Sequence, residues 1–428
     1  MRAIRATGAI PHLQPTVTTA TMNILMISTT LPYPPTAGGT EVRTYHLLVQ
    51  LSRKHKVTVV TQPWPDTPPD YIAALEEIAE EVVTFPRAAT PGGGILGKAA
   101  RFGRFLWDAV PPHVRYGQTP EMQQWIDEAI AAGQFDAITC EHSVNEIFIR
   151  PEWRYTHPKL RIIVDIHSSV YAACRDRLDT NTSDRPWRDR LSLGLFKRYE
   201  KNYCQKFSAL VVTTPDDFTP IHTLAPQLPI DTIPNGVDFS RFPMRTEDPS
   251  NHKLIFFGAM DYQANIDGAI FFTNEVFPKI VELYPDATLD LVGARPRPEV
   301  QELDQRPGVH VTGTVPSIAD YLHNAAVCVI PMRTGFGIKN KTLEALAAGT
   351  PVVGSDRGLE ALAVDFPGEP VRALRANTVE EYVDGVSKLF NNPALRQQIS
   401  ISGRDYVLRE FTWDRAGDRY ETFITNPD

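Results

Sequence analysis

The chain has 428 residues, of which 42% are apolar and 22% charged, with a formal net charge of −8. That length supports two or three domains, and the acidic balance excludes a nucleic-acid binder that works through a broad basic surface. The four cysteines (Cys140, Cys174, Cys204, Cys328) are scattered with no CxxC pair, which excludes a zinc or disulfide framework and points to a reducing, cytoplasmic compartment.

Residues 1–21 carry early arginines but no apolar core, so they read as a loose extension rather than a secretory signal. No apolar run reaches the roughly 18–20 residues of a membrane-spanning helix. From Asn23 onward, short β-rich runs alternate with helical stretches. The first set is NILMIS, KVTVVT, EVVTF, FDAITCE, LRIIVDIH and ALVVTT; the second is KLIFFGA, TLDLVGA, VHVTGT, VCVIPM and PVVGS. The runs are continuously apolar rather than alternating, as in parallel strands covered on both faces. Two such sets predict two doubly wound α/β domains, 22–232 and 253–407. A proline-rich polar seam, residues 233–252, separates them, and 408–428 forms a last helix. Ligands of such sheets bind beyond the carboxyl ends of the strands, so two facing domains predict a cleft between them.

In the second set, TGFGIKNKTLEALAAGTPVVGS (Thr334–Ser355) concentrates chemistry. KTLEALAA reads as a short helix with Leu343, Leu346 and Ala347 inward, ended by Gly349 and Pro351. Gly335 and Gly337 let the backbone approach a ligand closely. A helix N-terminus suits phosphate, and Lys339 and Lys341 add cations where lysine is otherwise unfavourable. A bound anion explains them; solvated surface lysines explain them too. Glu344 lies one turn beyond Lys341, placed either for an ion pair with that lysine or to accept two ribose hydroxyls.

GFGIKNKTLEALAAGTPVVGSDRGLEAL resembles the nucleotide-sugar signature of the GT-B glycosyltransferases, specifically glycosyltransferase family 4. IPNGVDFSRF resembles the family's interdomain stretch, and TTLPYPPTAGGTEVRTYHLLVQLSRKHKVTVVT its first strand, glycine loop and first helix. The resemblance implies two facing Rossmann-like domains with an interdomain cleft, and a retaining transfer of sugar from a nucleotide diphosphate donor to a hydroxyl acceptor. It implies Glu344 on the donor ribose, Gly38 and Gly39 near the phosphates and sugar, and His167 of VDIHSS facing the sugar. Backbone at Thr314 and Val315 would receive the nucleobase, and Arg295 stands on a loop within reach of phosphate. Many relatives have an acid where this chain has Phe336, and an arginine and lysine where it has FFGAMDYQANIDGA. Lys339 and Lys341 are read as replacing those charges, with Asp261, Tyr262 and Asn265 shaping the sugar pocket. No DxD-type pair recruits a metal, so no metal or other cofactor is expected. The resemblance also implies front-face substitution, with a leaving phosphate oxygen taking the acceptor proton, and a last helix crossing back to the first domain, anchored by Trp413.

The acceptor side is expected on the first domain. GILGKAARFGRFLWDAV places Ile95, Leu96, Ala99, Phe102 and Leu106 at helical spacing, with Lys98, Arg101 and Arg104 on another face. It reads either as an interfacial helix on anionic lipid, making the protein peripheral at the inner face of a membrane, or as a helix packed on its own domain with a basic solvated face. Cys174–Phe207 holds nine Lys/Arg against five Asp/Glu, suiting a lipid-linked acceptor or an exposed helix pair. The expected pathways are polysaccharide, glycolipid or other glycoconjugate synthesis. Two other functions stay open: a degenerate nucleotide-sugar binder and a nucleotide-sugar 2-epimerase.

Overall fold

A computed structural model describes residues 20–36, 38–87, 94–180, 183, 185–335 and 337–426. Phe336 lies outside the described residues, as do the side chains of Ile95, Leu96, Lys98 and Ala99. The first sheet contains β1 (Asn23–Ser28), β2 (Lys56–Thr61), β3 (Glu81–Thr84), β4 (Ala137–Glu141), β5 (Arg161–Ile166), β6 (Ala209–Val212) and β7 (Ile230–Thr232). Their spatial order is β3-β2-β1-β4-β5-β6-β7, with every pair parallel. The second contains β8 (Lys253–Phe257), β9 (Thr288–Val292), β10 (Val309–Gly313), β11 (Val327–Ile330), β12 (Val352–Gly354) and β13 (Leu374–Arg375), in the order β10-β9-β8-β11-β12-β13, again parallel.

Two strands escaped the sequence reading. Both β7 and β13 are edge strands of three and two residues, and neither is fully buried, so neither writes an apolar run. The central strands do. Along β1, Leu25 and Ile27 enter one core while Ile24 and Met26 enter another on the opposite face. Two covered faces require both alternating sets to be apolar.

The chain crosses between the halves twice. The linker after β7 leads into β8, and the helix Pro393–Glu410 is followed by Trp413–Thr425. The crossover falls at Phe411–Thr412, so the helix preceding it runs through residue 408. Thr412 caps the final helix by accepting from the Arg415 amide at 3.1 Å. That helix lies on the first half: Trp413 stacks on His46 with centroids 4.5 Å apart, and Ala416, Tyr420 and Ile424 join the core beneath Gly39–Ser52. The two crossings touch, because the Val237 amide donates to the Phe411 carbonyl at 2.9 Å. A Cβ on Gly236 would lie 2.3 Å from the Trp413 amide nitrogen, so only glycine fits there.

Candidate active site

Three adjacent strands of the second sheet end in glycines of positive φ: Gly258 (+145°), Gly293 (+154°) and Gly313 (+68°). A Cβ on Gly293 would sit 1.8 Å from the Gly258 carbonyl oxygen, so these strand ends close on one another only as glycine. The Gly258 amide donates to Val292 at 2.9 Å and the Gly293 amide to Gly313 at 3.1 Å. Together they make a bare backbone ledge at the carboxyl edge of the sheet, where ligands of open α/β folds bind.

Facing that ledge is the helix Asn340–Ala347. Leu343, Leu346 and Ala347 are buried, which fixes its rotation. No side chain caps its N-terminus at Lys339, leaving the first amide N–H groups without intrahelical acceptors. Gly335 (φ +93°) and Gly337 (φ +84°) shape the approach loop, and Gly349 (φ +75°) ends the helix in the left-handed conformation.

Both lysines turn inward, to different partners. Lys341 Nζ donates to Asn265 Oδ1 at 2.5 Å, lies 4.6 Å from the Phe256 ring centroid, and would meet a Cβ on Gly258 at 2.9 Å. It therefore sits under the ledge. Burial and the neighbouring Lys339 charge push its ammonium down to about 7. Lys339 donates to the Gly337 carbonyl and to Glu360 Oε2 at 3.1 Å. Glu360 also takes Arg357 at 3.0 Å, and Arg357 reaches Asp176 of the first half. Lys339 is thus already ion-paired at the root of an interdomain chain, while Lys341 has only neutral partners.

Glu344 is half-buried and, among the described residues, its carboxylate makes no hydrogen bond or ion pair. The pair with Lys341 admitted by their spacing does not form. Burial pushes the Glu344 carboxyl up to about 7, with Arg241 and Lys341 opposing. Its oxygens are not sealed away from the cleft, so a ligand there can donate to them.

The first half brings His167, at the end of β5, against the start of the helix Gly39–Ser52. Its Nδ1 is 3.3 Å from Thr40 Oγ1 and its Nε2 is 3.2 Å from Asp165 Oδ2. Beneath it, Arg43 grips Asp165 through Nε at 2.5 Å and Nη2 at 2.8 Å, and donates to Asn235 at 2.9 Å. Asn235 donates to the Asn340 side chain at 2.9 Å, tying the linker to the first residue of the donor-side helix. Tyr420 donates to Glu141 at 2.9 Å. Burial works against the Asp165 charge, but the Arg43 guanidinium outweighs it and holds the carboxylate ionised. Burial and the Asp165 charge push Glu141 up to about 8. Glu141, Asp165 and His167 bring ligand atoms within 4.8 Å of one another. A metal there would have to displace Arg43, which already occupies both Asp165 oxygens.

With this geometry in place, the comparisons are decisive. Residues 37–241 match the family Glycosyltransferase Family 4 and residues 251–392 match Glycosyl transferases group 1. The chain pairs a glycosyltransferase family 4 domain with a group 1 glycosyl transferase domain. Its fold is GT-B. The sucrose-phosphate synthase of Thermosynechococcus elongatus superposes with a TM-score of 0.66 at 18% identity, over 94% of this chain and 98% of that one. TarM of S. aureus gives 0.66 at 10%, over 96% and 100%. HepE of Anabaena, solved with UDP and glucose, gives 0.61 at 14%, over 95% and 100%. The glycosyltransferase 1 domain-containing protein 1 of Xenopus tropicalis is 26% identical over 164 residues, 36% of this chain and 45% of that protein. The chain therefore spans less than half the length of that relative.

The other expected site residues of this glycosyltransferase chain scatter around the same cleft. Gly38 and Gly39 stand at the start of the helix Gly39–Ser52. A Cβ on Gly38 would come within 2.6 Å of Glu41 Oε2, whereas one on Gly39 meets nothing within 4 Å. Thr314 and Val315 follow Gly313, Thr314 exposed and Val315 half-buried. Tyr262 is 55% exposed beside the Gly335 loop. Asn265 is committed to holding Lys341 and the Ala259 carbonyl. Asp261 and Arg295 take each other, Nε to Oδ2 at 2.6 Å, so each is offered as a partner to the other first. The sequence reading missed Arg43, Asp165, Glu141, Tyr420 and Glu360. A signal existed for two. Arg43 falls four residues before Leu47, on the helix stripe that buries, and Asp165 interrupts the apolar run of β5. Opposite charges at two burying positions have to meet.

Proposed function

We propose that this chain transfers a sugar, with retention at the anomeric carbon, from a nucleotide diphosphate sugar on its second half to a hydroxyl acceptor received by its first half. Glu344 is the observation that carries the reading: a half-buried carboxylate with no partner among the described residues, beside an inward lysine, at an uncapped helix start under a glycine ledge. Ribose hydroxyls supply the donors it lacks. The diphosphate rests on Lys341 and on the first amide N–H groups of Asn340–Ala347, approached past Gly335 and Gly337. Thr314 and Val315 receive the base, and Gly38 and Gly39 close on the sugar side.

As the bond from the anomeric carbon to the phosphate oxygen breaks, the acceptor oxygen bonds to the same face of that carbon, and its proton passes to the leaving phosphate. Lys341 and the helix N–H groups stabilise the charge that develops. Within this reading the lysine and the helix supply the electrostatic clamp, so no metal is invoked. His167 positions the sugar; Lys339, held by Glu360, acts on the loop rather than directly on phosphate. The acceptor is a glycan or a lipid-linked saccharide, in a cytoplasmic glycoconjugate pathway. HepE was solved with UDP-glucose, so uridine diphosphate sugars head the test.

A thermal-shift panel of uridine, guanosine and adenosine diphosphate sugars, followed by transfer assays, tests the proposal. Selective stabilisation by one donor with turnover is expected. Stabilisation without turnover across a broad acceptor panel establishes the degenerate binder instead, and conversion of the donor to its 2-epimer establishes the epimerase.

A further inference from the structure

Twelve large apolar side chains are exposed on the described surface, and five of them belong to two neighbouring helices. On Ile95–Asp108 they are Phe102 (38% exposed), Leu106 (49%) and Trp107 (83%); on Pro186–Cys204 they are Trp187 (66%) and Leu191 (59%). The helices pack through Phe105 and Phe196, whose ring centroids are 5.7 Å apart. At about 100° per residue, Phe102, Leu106 and Trp107 occupy an arc of about 140° turned away from Phe105. Trp187 and Leu191 stand one turn apart near the N-terminal end of their helix, well before the buried Tyr199 and Tyr203. The solvent side of Ile95–Asp108 thus carries Phe102, Leu106 and Trp107 together with the exposed Arg104.

The charges around this strip have one sign. Arg104, Arg188, Arg190, Lys197, Arg198 and Lys201 are exposed. The acids of the same helices turn inward or are taken: Glu200 accepts from Ser169 and Val170 at 2.7 Å, Asp189 accepts from Ser183 at 2.8 Å, and Asp108 holds Arg115 with Arg104 at 3.8 Å. A cationic rim around exposed indoles, on a chain of net charge −8, is a local arrangement rather than a consequence of composition.

We infer that this helix pair docks the protein on the surface of an anionic lipid bilayer. Indole rings suit the headgroup level, the leucines and phenylalanine the acyl boundary, and the arginines and lysines the lipid phosphates. Among the described residues no helix is long and apolar enough to cross a membrane, so the contact is lateral. The surface stands on the first half, and the inference does not depend on the donor assignment.

The test is flotation of the intact chain with phosphatidylcholine vesicles, with and without a third of phosphatidylglycerol, at low and high salt. The chain is expected to float only with phosphatidylglycerol and to be released by salt, with a blue-shifted tryptophan emission. Trp107→Ser combined with Trp187→Ser should weaken the apparent affinity by about tenfold or more. Both side chains are largely exposed, so the thermal melt and donor binding should stay unchanged. Arg188→Glu with Arg190→Glu should abolish the lipid selectivity. Absence of flotation on anionic vesicles overturns the inference, as does equal flotation on neutral ones or unchanged flotation of the double tryptophan variant. A wild-type dimer that the tryptophan variant converts to monomer, without lipid binding, overturns it in favour of a second copy of the chain.

Discussion

The two sides of the cleft handle buried charge in opposite ways. On the first half, Arg43 holds Asp165 and Asn235, and Tyr420 donates to Glu141, through hydrogen bonds of 2.5–2.9 Å, leaving Glu141 Oε2 as the one buried oxygen of this described group without a partner. On the second half, Lys341 has only neutral partners and Glu344 makes no bond among the described residues, and each has its ionisation pulled to about 7 by burial. A network built on an internally paired charge, Arg43 with Asp165, fixes a shape; charged groups left without an opposite partner cost stability until a ligand completes them. The contrast separates a side whose charges are paired internally from one that leaves a lysine and an acid facing the cleft.

That comparison breaks most easily on the scaffold side. Arg43→Met should lower stability by about 3–5 kcal/mol, because it leaves Asp165 buried without its counter-charge; chemical denaturation measures it. A loss below 1 kcal/mol would mean that Asp165 is not held as described. Next in size is Lys341→Ala, expected to cut kcat by about 10²–10³ while the melt holds or rises, since a poorly solvated cation is removed. Wild-type turnover in that variant would remove its diphosphate role.

Glu344→Gln should weaken donor binding by about tenfold, the scale of a lost charge-assisted hydrogen bond. It should also stabilise the ligand-free protein, by an amount that depends on pH. The Glu344 carboxyl is raised in the folded state, so its contribution is present at low pH and lost as pH rises through about 7. The variant should therefore melt about 2–6 °C above wild type at pH 8 and level with it at pH 4. Calorimetry at both pH values reads the difference.

A finer test uses the pH profile of donor affinity. Protonation of Glu344 weakens binding on the acid side and deprotonation of Lys341 on the alkaline side, each centred near 7 before ligand arrives. Glu344→Gln should erase the acid limb and Lys341→Met the alkaline one; a limb that survives its variant belongs to another group. The smallest effect is expected at Arg295→Ala, whose pair with Asp261 is exposed and worth about 0–1 kcal/mol.

Legibility followed burial. The nine interior strands appear as apolar runs because both of their faces are covered; the edge strands β3 and β10 are only partly buried but long enough to show β-rich runs, while β7 and β13, at three and two residues, are too short. The donor-side helix, its glycines and its acid were readable because each carries a local cue: a cap, a positive φ, a spacing. The fate of Lys339 was not, since its partner Glu360 lies twenty-one residues away, beyond a strand. Nor was the outward turn of Phe102 and Leu106, because helical spacing reports a stripe but not which side of it meets the domain.

The contact between Gly236 and Trp413 has a mechanical meaning. Two covalent connections that meet at one point act as a single pivot: the lobes can swing about it, while sliding past each other would strain the Val237–Phe411 bond. Opening and shutting of the jaws then turns about that point, with the Asn235–Asn340 contact beside it, where a swing moves it least.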